Sequence, residues 1–80
     1  MRAAEIIVGE VYLSYVGSFT RVLVLSTNEP YQYPTGGKAR GIRVRALADI
    51  YYAATPDAIA HREGDEFVIP SKLVARKEEA

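Results

Sequence analysis

A chain of 80 residues makes one domain, spanning residues 1–80, and a domain of this size buries only a modest core. With no cysteine and a single histidine, no disulfide, thiolate zinc site or histidine-based metal site can reinforce it; no metal or cofactor is expected, and self-association is the remaining source of stability. A net charge of zero counts against a dedicated nucleic-acid binder, and an apolar fraction of 49%, rich in Val, Ile and Tyr, counts against a disordered chain.

No apolar run reaches the roughly 18 residues of a membrane span. The apolar stretch within Met1–Val8 is too short for a signal peptide. Lack of cysteine fits a reducing compartment, so the expectation is a soluble, cytoplasmic protein with no membrane partner.

Residues 6–16 read as a strand. Val11, Leu13 and Tyr15 share one face, and Glu10, Tyr12 and Ser14 share the other. Gly9 inside this run suggests a bulge or sharp bend. Gly17-Ser18 suits a tight hairpin turn, and residues 19–26 form the partner strand. The apolar centre of that strand, Val22 to Leu25, offers hydrophobic side chains to both faces, which predicts a central strand covered on both sides.

Residues 28–41 lack apolar periodicity and contain Pro30, Pro34, Gly36, Gly37 and Gly41. They read as a long loop, stiff and aromatic over Pro30–Pro34, then flexible and basic over Thr35–Gly41; loops of this length in small domains are commonly functional. Residues 42–48 read as a strand with Ile42, Val44 and Ala46 on one face and Arg43 and Arg45 on the other. Over 49–54 the strand and helix patterns compete. Thr55 as N-cap, Pro56 at the first helical position, Asp57 in the first turn and Gly64 at the end predict a short helix of about two turns. The rival is a hairpin turning at Glu63-Gly64-Asp65. Residues 66–69 form a strand that Pro70 ends, 73–75 form the closing strand, and 77–80 are a charged tail.

The run Val68-Ile69-Pro70-Ser71-Lys72-Leu73-Val74-Ala75 resembles the Ile-Pro-Ser-Asn-Tyr-Val signature of SH3 domains. In that family Pro-Ser opens a single 3₁₀ turn between the last two strands. The resemblance extends from Gly64 to Arg76 and implies a mainly β fold, a small SH3-like barrel with a short helical insertion. Lys72 stands where the family has Asn, Leu73 where it has the Tyr of the proline-peptide groove, and the chain has no Trp. The resemblance therefore implies the barrel topology without the proline-rich ligand. More widely the chain is similar to small SH3-like barrels of bacteria and phages, which include polymerase-, ribosome- and DNA-associated accessory modules.

Catalysis has little to stand on. Ser14, Ser18, Ser26 and Ser71 have only His61 as a base, and a lone histidine in a surface helix reads as a solvent-exposed side chain. The carboxylates Asp65/Glu66 and Glu78/Glu79 are adjacent, so in extended chain they face opposite sides. Gly36-Gly37-Lys38 lacks the spacing of a phosphate-binding loop. No enzymatic activity is expected. The expected function is non-catalytic binding of a protein partner, or of a second copy, through residues 28–45. Tyr31 and Tyr33 would anchor the partner and Lys38, Arg40, Arg43 and Arg45 would orient it. The alternative is a nucleic-acid-binding module that uses the basic stretch 38–45 beside the same tyrosines.

Overall fold

A computed structural model describes residues 1–16, 18–52, 54–55 and 57–77. Among the described residues, seven strands run in chain order: β1 (Val11–Val16), β2 (Ser18–Gln32), β3 (Lys38–Ala46), β4 (Ile50–Tyr51), β5 (Ile59–His61), β6 (Glu66–Pro70) and β7 (Val74–Lys77). The only helical pieces among the described residues are 3₁₀ turns at Ala3–Glu5 and Ser71–Leu73. The fold is mainly β: a five-stranded antiparallel sheet in the order β6-β3-β2-β1-β7, and a separate β4-β5 pair.

The expected barrel is not closed. β6 and β7 are the two edges of the large sheet, yet only Ser71–Leu73 separates them in sequence. From Pro70 to Val74 the chain reaches at most about 14 Å, while four flat strand spacings of ~4.8 Å come to about 19 Å. The sheet must therefore curl to bring its edges together. It cannot be sealed by pairing them, because counting antiparallel neighbours makes β6 and β7 parallel to each other. Parallel neighbours need a crossover of about a dozen residues or more, and a three-residue turn cannot supply one.

The hydrophobic core lies inside this curl. Tyr12, Val22, Val24, Ile42, Val44, Ile69 and Val74 line it, and Ile6 from the N-terminal segment covers it. Met1, Ala3, Phe67 and Leu73 pack around its margin. The Met1 amine donates to the carbonyl oxygens of Val74 (2.6 Å) and Ser71 (3.3 Å), which pins the N-terminal segment across the closing 3₁₀ turn.

On β1 the buried face is the one that carries hydroxyls. Tyr12 and Ser14 are buried, whereas Val11 and Leu13 are half-buried and Tyr15 is exposed. Burying these polar groups is tolerable because both are hydrogen-bonded. Tyr12 Oη accepts from the Ile7 N–H at 2.8 Å, and Ser14 Oγ donates to the Leu73 carbonyl at 2.9 Å. β2 is the central strand, as its apolar centre implied, but only one side is sealed: Val22 and Val24 are fully buried while Leu23 and Leu25 are half-buried.

Four expectations need correction. Residues 6–10 do not begin β1; Ile7–Glu10 form a turn, with Gly9 at φ +89° and the Glu10 N–H donating to Ile7 O. The segment 28–41 is not a long loop. It continues β2 and begins β3, with Glu29↔Gly41, Pro30↔Arg40, Tyr31↔Ala39 and Gln32↔Lys38 in register. Pro30 is tolerated there because β1 no longer accompanies β2 at this point, and a missing N–H costs little on an open edge. The described residues between Thr55 and Gly64 form no helix. Ile59–His61 pairs with β4 instead, and a turn closes at Arg62–Asp65 with Gly64 at φ +90°. Two helical turns are too short to persist without tertiary support, and pairing with β4 wins. Finally, His61 is half-buried, its ring stacked on Phe67 with centroids 3.8 Å apart. Gly17 of the expected hairpin turn, Pro56 and the tail residues 78–80 lie outside the described residues.

Candidate partner-binding site

Beyond the row Glu29–Gly41–Pro70, β2 and β3 leave the sheet and pair only with each other. They form a two-stranded arm that ends in Tyr33-Pro34-Thr35-Gly36. The Gly36 N–H donates to Tyr33 O at 2.9 Å, and the Tyr33 N–H donates to Gly37 O at 2.7 Å. Proline at the second turn position presets φ, and Gly36, at φ +98°, takes the left-handed conformation that lets the strands rejoin. Gly41 sits where the arm leaves the body. A Cβ there would lie 2.5 Å from Val68 Cγ1 and 2.9 Å from the Glu29 carbonyl oxygen, so only glycine lets these strands and side chains meet so closely.

Register and alternation divide the six expected site residues between two faces. β3 pairs with β6 without interruption from Gly41 to Arg45, so its odd-numbered residues share one face and its even-numbered residues share the other. Ile42, Val44 and Ala46 face the core. Arg43 and Arg45 lie on the opposite, outer face, together with Gly41 and Ala39. Tyr31, opposite Ala39, belongs to this outer face. Tyr33 follows it there, with the two rings edge-to-face at 5.2 Å. Lys38 and Arg40 stand on the other side of the arm, beside Gln32 and Pro30.

The arginines on the outer face are already engaged. Arg43 Nε donates to Glu29 Oε1 at 3.0 Å, and Arg45 Nη2 donates to Glu66 Oε2 at 2.9 Å. Lys38 and Arg40 have no ion-pair partner among the described residues. The outer face of the arm is thus aromatic and charge-balanced, and its inner face is basic. Sequence reasoning missed three participants: Glu29, Glu66 and Lys72. Lys72 Nζ lies 4.6 Å above the Tyr33 ring, so the closing 3₁₀ turn holds the arm through a cation–π contact. Glu29 could have been found once Pro34-Thr35-Gly36 was read as a hairpin turn, because the turn alone sets Glu29 opposite Gly41, diagonal to Arg43.

Ser14 Oγ is committed to the Leu73 carbonyl, and Ser26 Oγ accepts from the Asn28 N–H at 3.4 Å. Among the described residues, no helix is long and apolar enough to cross a membrane. Comparisons with protein-family models, with curated proteins and with solved structures find no match.

Proposed function

We propose that this chain is a non-catalytic binding module that engages a protein partner through the outer face of the β2–β3 arm. Tyr31 and Tyr33 are its anchors, with the Arg43–Glu29 pair and then the Arg45–Glu66 pair further along the same face. The observation that carries this reading is the pairing of both arginines on the face that holds both tyrosines. A surface of tyrosine, arginine and balanced charge has the composition of a protein interface. It suits a polyanion less well, because phosphate contacts would have to compete with carboxylates already in place. We also read the architecture as SH3-like in connectivity. A proline-terminated strand, a single 3₁₀ turn and a last strand paired to the first support that reading, at the place where the sequence resemblance predicts them.

The test is capture from the native host's lysate, with and without nuclease. Binding is expected to survive nuclease and to be lost in the Tyr31→Ala/Tyr33→Ala variant, with the fold checked by circular dichroism. Lys38→Ala/Arg40→Ala should retain the partner. If capture instead depends on nucleic acid, falls steeply with salt and fails when Lys38 and Arg40 are removed, the basic inner face is the site and the proposal is wrong.

A further inference from the structure

The β2–β3 arm has an open edge on each strand, and the two edges differ. The turn fixes which main-chain groups face outward. Tyr33 exchanges hydrogen bonds with Gly36 and Gly37 across the turn, so by alternation Tyr31↔Ala39 and Glu29↔Gly41 are hydrogen-bonded pairs, while Gln32↔Lys38 and Pro30↔Arg40 are not. The other end of β3 gives the same phase. Ala46 exchanges hydrogen bonds with Gly64 and Asp65, so Val44 and Ile42 turn their N–H and carbonyl groups to β6, and Arg40 and Lys38 follow on that side. β6 stops at Pro70, opposite Gly41, so the N–H and carbonyl groups of Arg40 and Lys38 face no strand of this chain among the described residues. On the arm's other edge, Pro30 has no N–H to give. Lys38 and Arg40 are exposed and have no ion-pair partner among the described residues. Glu29, opposite Gly41, lies on the outer face and is paired with Arg43.

We propose that the Lys38–Arg40 edge of the arm is a second binding site, separate from the tyrosine face, that takes an extended acidic segment of a partner protein as an added strand. The segment runs antiparallel to β3, in line with β6. Residues directly opposite Lys38 and Arg40 complete their hydrogen bonds and carry their own side chains to the same inner face. Carboxylates at those alternate positions meet the ammonium and the guanidinium, and an uncharged residue sits between them, beside Ala39. Charge selects this occupant. A second copy pairing through the same edge would set Lys38 and Arg40 against their own counterparts, like charges directly opposite. A lysine-rich strand is rejected for the same reason. A nucleic-acid strand has no amide groups to complete the ladder, and these cations offer it few phosphate contacts.

The experiment is an NMR titration of the ¹⁵N-labelled protein with a peptide that alternates glutamate with valine. Binding is expected to shift the amides of Lys38, Ala39 and Arg40. It should also slow hydrogen exchange at Lys38 and Arg40, which contact between charges alone does not do. N-methylation of the glutamate amides keeps every charge but removes the donors to β3, and should weaken binding roughly tenfold. N-methylation of the valine amides, which point away from β3, should leave it unchanged. Lys38→Glu/Arg40→Glu, at exposed positions, should weaken the parent peptide by at least about tenfold. The proposal is overturned if the two N-methylated peptides bind alike, or if a peptide with lysine for glutamate binds as well. It is equally overturned if a short oligothymidine binds these residues more tightly, if no shifts appear at this edge, or if Lys38 and Arg40 become protected with rising protein concentration and no peptide.

Discussion

Gly41 links the body of the sheet to the arm, and its replacement by alanine tests the register of both. Its φ is not among the positive ones, so alanine can adopt the backbone and the cost is purely steric. The added Cβ would meet Val68 Cγ1 at 2.5 Å, the Glu29 carbonyl oxygen at 2.9 Å and Tyr31 Cβ at 3.2 Å. The Val68 methyl can turn away; the Glu29 carbonyl belongs to the β2–β3 ladder and can move only with the strand. Overpacking of this kind costs about 1–3 kcal/mol, and the loss of glycine's freedom in the unfolded chain returns about 0.4–1 kcal/mol. The net is a destabilisation of up to about 2.6 kcal/mol, with a mid-range of about 1.3 kcal/mol that lowers Tm by roughly 5–10 °C for a domain of this size. Gly37→Ala is the control: its Cβ would meet only Tyr33 Cδ2, at an ordinary 3.6 Å. Scanning calorimetry of the two variants reads the difference. If Gly41→Ala melts above the parent temperature, the close packing of Glu29, Gly41 and Val68 is wrong, and with it the arm's placement.

Ser14→Ala removes the donor to the Leu73 carbonyl from a fully buried site and should cost about 1–3 kcal/mol, seen as a lower urea midpoint at unchanged slope. An unchanged midpoint would mean that the hydroxyl does not hold the closing turn. A double-mutant cycle on Arg45 and Glu66 should give a coupling below about 1 kcal/mol, since both side chains are more than 40% exposed. A much larger coupling would mean that the pair is shielded from solvent.

How far the sequence reaches can be followed element by element. The β1–β2 pairing, the central place of β2 and the core face of Ile42, Val44 and Ala46 follow from local pattern, and the 3₁₀ turn after Pro70 is where the resemblance to the SH3 signature implies it. Each is encoded by neighbouring residues: alternation, a proline stop, an apolar run. The β2–β3 arm was partly legible, because Pro34-Thr35-Gly36 is a turn signal, but prolines and glycines on either side masked the strands as a loop. The helix expected after Thr55 failed because its signals are all at the ends, and nothing in a segment so short holds the middle against pairing with β4.

The candidate site shows the same division. Tyr31, Tyr33, Lys38, Arg40, Arg43 and Arg45 stand close in sequence, and the sequence suggests one mixed aromatic and basic surface. Strand register assigns them to opposite sides of the arm, and Glu29 and Glu66, each on a neighbouring strand, pair with the two arginines on the tyrosine face. The sequence by itself determined a small, mainly β chain and the pairing of β1 with β2, because those depend on alternation among residues a few positions apart. Only the tertiary structure decided which face of β1 is buried, that the sheet curls without sealing, and which cations remain unpaired. Those outcomes depend on hydrogen bonds and charges brought together from separate elements, such as Ser14 with Leu73 and Arg45 with Glu66.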